Sequence, residues 1–158
     1  MMITRAKETY SVLVADDSAD DRFLLKAAMR RATRLQIIGE VCNGAQAIAY
    51  LKGQEGFGDR SLFPFPDLLL LDLKMPLKDG FEVLEWLKKQ HHLPLTVVVL
   101  TESMHPDHIM RALDLGADLF QVKPRTFRER ETMILALEQH LVRPATIAQP
   151  RPVAAHAA

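Results

Sequence analysis

The sequence predicts an α/β domain, a doubly wound parallel sheet of five strands covered on both faces by five helices. Three observations predict it. Short apolar runs such as Val12-Leu13-Val14-Ala15, Leu68-Leu69-Leu70-Leu71 and Val97-Val98-Val99-Leu100 recur along the chain and are too brief for helices; runs of this kind are strands buried on both faces. Between them lie segments with apolar residues at helical spacing. Strand–helix alternation of this sort builds a parallel sheet, and right-handed crossovers wind it in both directions.

In chain order, Ser11–Ala15 is the first strand and runs straight into Asp16-Asp17. Asp20 and Asp21 open a helix with Leu25, Ala28, Met29 and Ala32 on its inner stripe and Arg30, Arg31 and Arg34 at its far end, the charge order that the helix dipole favours. Leu35–Val41 is the second strand. Asn43-Gly44 turns into a helix that points Ala47, Ile48 and Leu51 inward and stops near Gly53. Residues 54–66 form a long connection, either a mobile surface segment or one tied down by Phe57, Phe63 and Phe65. The third strand delivers Asp72. The next helix buries Val83, Leu84 and Leu87 and places Glu85 and Lys89 at ion-pair spacing outside. Thr96–Leu100 is the fourth strand and ends at Thr101. Pro106 suits the first turn of the fourth helix, which Gly116 closes. The more polar strand 118–122 suits a sheet edge and ends at Lys123-Pro124. Thr126 and Glu129 form a capping box for the last helix, which buries Met133, Leu137 and Leu141. Residues 1–9 read as an N-terminal extension, 10–143 as the domain, and 144–158 as a disordered or extended Pro/Ala-rich tail.

Composition narrows the function. Twenty basic and twenty acidic residues cancel, with a pI near 7.0, which argues against nucleic-acid binding. The single cysteine, Cys42, excludes an internal disulfide and a thiolate zinc site; beside the apolar stretch Ile37–Val41 it reads as a small core hydrophobe. No apolar run approaches the roughly 20 residues of a membrane span, and the first residues lack the pattern of a signal peptide. A cytoplasmic protein without membrane contact is expected.

The chemistry lies at the strand ends. Asp16-Asp17, Asp72, Thr101 and Lys123 each follow a strand, and the carboxyl ends of a doubly wound sheet share one edge. Singly, each has an ordinary explanation: a helix-start cluster, a turn residue, a solvated lysine. Together they define a site. Two unit charges about 4 Å apart repel by about 4 kcal/mol at an effective dielectric of roughly 20, so three carboxylates call for a hard cation with oxygen ligands, and Mg2+ fits while leaving room for phosphate oxygens. Lys123 offers a point charge and Thr101 a hydroxyl for a phosphoryl group. With no evident general base to activate water, Asp72 is the nucleophile and forms an acyl phosphate.

These residues carry a resemblance. Ala15-Asp16-Asp17-Ser18, Leu71-Asp72-Leu73-Lys74-Met75-Pro76 with Gly80, Leu100-Thr101, Gly116-Ala117-Asp118 and Val122-Lys123-Pro124 make the chain, over roughly Tyr10 to Arg143, resemble the receiver domain of two-component response regulators. The resemblance implies the flavodoxin-like strand order 2-1-3-4-5 and a phosphoryl group received on Asp72 from a histidine of a sensor kinase. It implies Mg2+ held by Asp17, Asp72 and the backbone carbonyl of Lys74, with Asp16 acting largely through water. It also implies a switch in which Thr101 moves to the phosphate and Phe120 swings inward, a pairing of Lys123 with the phosphate, and a cis bond before Pro124. The segment 16–21 and the phenylalanine-rich connection look most like stand-alone regulators paired with bacterial phytochromes. Glu102 stands where the family usually has a small residue, and its carboxylate either modulates access to the site or points to solvent. Output then passes through protein contacts, and a homodimer through the fourth helix, fifth strand and fifth helix is the simplest form. Two other readings compete: a Mg2+-dependent aspartyl phosphotransferase or phosphatase of the haloacid-dehalogenase type, disfavoured because Lys74 stands where that family needs an acid, and a degenerate receiver that binds partners without phosphate.

Overall fold

The structure is a computed structural model that describes residues 7–91 and 93–142. Ten elements alternate: β1 (Tyr10–Ala15), α1 (Ala19–Met29), β2 (Leu35–Val41), α2 (Gly44–Lys52), β3 (Leu68–Leu71), α3 (Gly80–Lys88), β4 (Thr96–Thr101), α4 (Pro106–Asp114), β5 (Leu119–Val122) and α5 (Phe127–Val142). All four strand pairings are parallel and the order is β2-β1-β3-β4-β5, as the sequence predicts. The tail 144–158 and the first six residues of the extension lie outside the described residues.

Strand side chains alternate between two cores. Leu13, Ala15, Leu69, Leu71, Val97 and Val99 face the layer of α2, α3 and α4, while Val12, Val14, Leu68, Leu70, Val98 and Leu100 face α1 and α5 with Leu25, Met29, Met133, Ile134 and Leu137. All four leucines of β3 are buried, which is why an unbroken apolar run marks the centre of the sheet. β5, its edge, has no fully buried residue.

Caps define the helix starts. Ser18 accepts from the amide of Asp21, Asn43 from that of Gln46, and Asp79 and Glu82 close a reciprocal capping box at α3. The Thr126–Glu129 box forms at α5, with Glu129 N 3.1 Å from Thr126 Oγ1. The long connection is tied down. Phe57 lies 5.0 Å from the ring of Tyr50 and 5.2 Å from that of Phe63, and Arg60 donates to the carbonyls of Tyr50, Leu51 and Phe63.

Three expectations need correction. Glu85 pairs with Arg111 at 3.0 Å rather than with Lys89, because α4 brings a guanidinium that also lies 4.2 Å over the Phe81 ring. Cys42 is only half-buried, just past β2, with its thiol 3.2 Å from Gln46 Oε1 rather than in the core. α1 stops at Met29, so Arg31 and Arg34 follow the helix instead of forming its last turn.

Candidate functional site

β1, β3 and β5 hand the residues that follow them to one edge through the ladder itself. The amide of Asp16 bonds to Val41 O at 3.0 Å, that of Asp72 to Ala15 O at 2.9 Å, and that of Lys123 to Thr101 O at 2.8 Å. The backbone positions are thus fixed before any side chain is considered. Gly80 adds a close approach: a Cβ there would lie 2.3 Å from the carbonyl oxygen of Asp72, so only glycine lets α3 start against this peptide.

The structure brings Asp16, Asp17 and Asp72 together with ligand atoms all within 4.8 Å of one another. Asp16 and Asp72 are buried and Asp17 is exposed. Lys123 Nζ lies 2.8 Å from Asp16 Oδ2, 2.9 Å from Asp72 Oδ2 and 2.9 Å from Asp21 Oδ2, with its side chain 8% exposed. Burial alone would lower the lysine's pKa, but its bonds to Asp16, Asp21 and Asp72 outweigh this and hold it above its ordinary value. Burial pushes the carboxyl of Asp16 up, against the opposing pull of Lys123 and the Ser18 amide. Thr101 is buried, with Oγ1 3.5 Å from the amide of Ser103. Lys74 donates its amide to Asp72 Oδ1 at 3.3 Å. Asp17, Ser18, Asp21, Asp72, Lys74, Thr101, Glu102 and Lys123 line one cleft of about 280 Å³. Glu102 is exposed at its rim. Phe120, on β5, is partly buried against the core beneath α2, α3 and α4.

One site expectation fails. No cis peptide bond occurs among the described residues, so the Lys123–Pro124 bond is trans. Trans is intrinsically preferred by about 0.5–1 kcal/mol before proline. The loop satisfies its polar groups in that form, with Lys123 N on Thr101 O and Pro124 O accepting from Arg130 Nη2 at 3.3 Å.

Two contributors escape the strand-end reasoning. Asp21 lies in the first turn of α1, three residues past its Ser18 cap, and its nearness in sequence to Asp16-Asp17 is the signal that could have found it. Arg130 is 6% exposed, with Nη2 3.8 Å from Asp21 Oδ1; nothing in the sequence distinguishes it from the exposed arginines around it.

The donor set suits a hard divalent cation. Three carboxylates surround the Lys123 ammonium, Asp21 also lies near the Arg130 guanidinium, and the carboxylate oxygens of Asp16, Asp17 and Asp72 are within reach of a single ion.

The model of the response regulator receiver domain matches residues 12–135. The chain belongs to this family. Rcp1 of Synechocystis, a response regulator, is 30% identical over 137 residues, 86% of this chain and 91% of Rcp1. The crystal structure of its Mn2+-bound form superposes with a TM-score of 0.75, covering 87% of this chain and 97% of that one at 29% identity. The phosphorylated cyanobacterial phytochrome response regulator RcpA gives a TM-score of 0.77 at 27% identity, covering 89% and 99%. The probable methanogenesis regulatory protein FilR2 of Methanothrix harundinacea is also 30% identical, over 87% of each chain. The chain is thus a receiver domain of the kind that response regulators carry. No helix among the described residues is long and apolar enough to cross a membrane.

Proposed function

We propose that this receiver domain takes a phosphoryl group from a phosphohistidine of a sensor kinase onto Asp72, in a Mg2+-dependent reaction, and that the product is read through protein contacts. One observation carries the reading. Asp72 joins the three-member acidic cluster, touches the buried ammonium of Lys123 at 2.9 Å and, unlike Asp16, lines the cleft shared with Thr101 and Lys123.

In the transfer, a carboxylate oxygen of Asp72 attacks phosphorus, the phosphorus–nitrogen bond breaks, and the imidazole leaves with the electron pair. The acyl phosphate has more negative charge at the edge than the carboxylate it replaces. Lys123 already stands beside Asp72 and neutralises part of that charge. Thr101 supplies a hydroxyl for a phosphoryl oxygen, and Phe120 follows it as the second member of the switch. Asp16, Asp17, Asp72 and the backbone carbonyl of Lys74 would hold the cation. When bound, the cation offsets charge on the phosphoryl oxygens during transfer. The chain catalyses only its own phosphorylation and hydrolysis.

The partner proposed is a kinase of the bacterial phytochrome type, supported by likeness to RcpA, a cyanobacterial phytochrome response regulator. Self-association through α4, β5 and α5 is the proposed output. Support comes from Met104, Met110 and Leu113, exposed at and before α4, and from the partly buried strand β5. A cytoplasmic location suits a kinase partner. The test is a phosphate-affinity gel of the purified chain with a small acyl-phosphate donor and Mg2+. A slow-migrating species that hydroxylamine removes supports the reading; its absence under saturating donor overturns it.

A further inference from the structure

Lys123 has three N–H bonds and faces three carboxylates, so its ammonium is fully engaged before any phosphoryl group arrives. No buried side-chain polar atom among the described residues lacks a partner. A new anion at Asp72 therefore has to displace an existing acceptor from Lys123. Asp16 and Asp72 belong to the three-carboxylate cluster; Asp21 does not. Asp21 is the dispensable acceptor, and it has a second cation waiting. Arg130, buried at the start of α5, is hydrogen-bonded to Pro124 O and stands 3.8 Å from the other oxygen of Asp21, beyond hydrogen-bond distance.

We infer that Asp21 is a positioning residue for phosphorylation: it holds Lys123 in the unphosphorylated state, competes with the phosphoryl group for that ammonium, and passes to Arg130 when Lys123 turns to the phosphoryl oxygens. The exchange links Asp21 on α1 to Arg130 and Pro124 in the β5–α5 region, so the occupancy of Asp72 reaches the α1–α5 side of the domain through two ion pairs. This rests on the phosphoacceptor reading of Asp72.

The two halves of the exchange predict opposite signs. Asp21→Asn removes the competitor and should tighten binding of beryllofluoride, a tetrahedral phosphoryl mimic, by about fivefold, the upper range for a pair still partly open to water. Arg130→Gln leaves Asp21 without its second partner and should weaken binding by a similar factor, while Arg130→Lys, which keeps the cation, should stay within about twofold of the unsubstituted chain. Glu102→Gln is the control for bulk charge, because Glu102 lines the same cleft without an ion pair to Lys123, and it should change affinity by no more than about twofold. The measurement is a fluorine NMR titration of the full chain with beryllofluoride at saturating Mg2+, with unfolding midpoints recorded for each variant. A merely structural role would move the Asp21 and Arg130 variants in the same direction and in step with their midpoints. That result, or equal tightening by Asp21→Asn and Glu102→Gln, overturns the inference. Failure of the unsubstituted chain to bind beryllofluoride would instead overturn the phosphoacceptor reading beneath it.

Discussion

The two ends of β3 carry the same residue type in opposite circumstances. Asp67 precedes the strand and Asp72 follows it. Asp67 accepts from Ser11 N at 2.8 Å and Ser11 Oγ at 3.0 Å and pairs with Lys7. Partial burial would raise its pKa, but these partners outweigh it and hold the carboxyl below its ordinary 3.8. It is an anion with one lysine and the donors of Ser11 to itself. Asp72 shares one ammonium with Asp16 and Asp21 and lies beside Asp17. The difference is not in burial or hydrogen bonding alone but in charge balance. Asp67 closes a seam between β1 and β3, whereas the edge at Asp72 has an excess of negative charge that a cation and a phosphoryl group can use.

The largest effect that separates the two ends is expected from paired substitutions. Asp72→Asn should abolish the phosphorylated species on a phosphate-affinity gel and leave the unfolding midpoint equal or higher, because one of the mutually repelling carboxylates is gone. Asp67→Asn should do the reverse, with labelling retained and stability reduced by about 1–2 kcal/mol through the weakened Ser11 bonds. Labelling of Asp72→Asn at the unsubstituted level would break the comparison.

The metal tests the same contrast at the next size. Asp17 is the exposed member of the cluster, and Asp17→Asn should weaken Mg2+ binding at least about tenfold, since even substitutions behind the ligands cost about 10–100-fold. The metal-free unfolding midpoint should not fall. Unchanged affinity in a Mg2+ titration would remove Asp17 from the ligand set.

How much of this was legible in the sequence follows from the same physics. Strands buried on both faces announce themselves as apolar runs, so Leu68–Leu71 and Val97–Leu100 fixed the sheet, and the residue after each run was bound to reach one edge. Helix starts were legible because Thr126 and Glu129 cap locally. Contacts between elements distant in the chain were not. The Glu85–Arg111 pair spans 26 residues and Asp21–Lys123 spans 102, and no local pattern encodes either. Arg130 was unreadable for a further reason: arginine is almost always exposed unless paired, and its pairing depends on where α1 lies against α5. The bond before Pro124 was read from resemblance, and the structure has it trans.

Acid sharpens the comparison at the Asp67 end. A carboxyl with its folded pKa lowered contributes stability that is present above the unfolded value and is lost as pH falls through the folded one. For Asp67 the loss therefore lies below its ordinary 3.8. In Asp67→Asn this contribution is absent at every pH, so the stability gap between the variant and the unsubstituted chain should be full near neutrality and shrink below about pH 4. Denaturant unfolding at stepped pH measures it. A gap that stays constant into acid would mean that the Ser11 bonds, and not the charge, carry the seam.

The smallest expected effect concerns the rim. Glu102 is exposed and lines the cleft that Asp72 and Lys123 share, without a bond to either. An anionic phosphodonor approaches through that cleft and meets its field, which salt screens beyond about 10 Å at 0.1 M. Glu102→Ala should speed phosphorylation by a small anionic donor about two- to threefold at low salt and leave the rate nearly unchanged at high salt. Hydrolysis should respond less, because water is neutral and gains nothing from removal of a distant charge. The two rates thus separate a screening role from a steric one. If Glu102 mainly narrowed the opening, Ala would speed both reactions equally and salt would not matter. Rates indifferent to the substitution at every salt concentration would leave Glu102 as a solvent-facing residue and place the whole charge balance of the edge on Asp16, Asp17, Asp21, Asp72, Lys123 and Arg130.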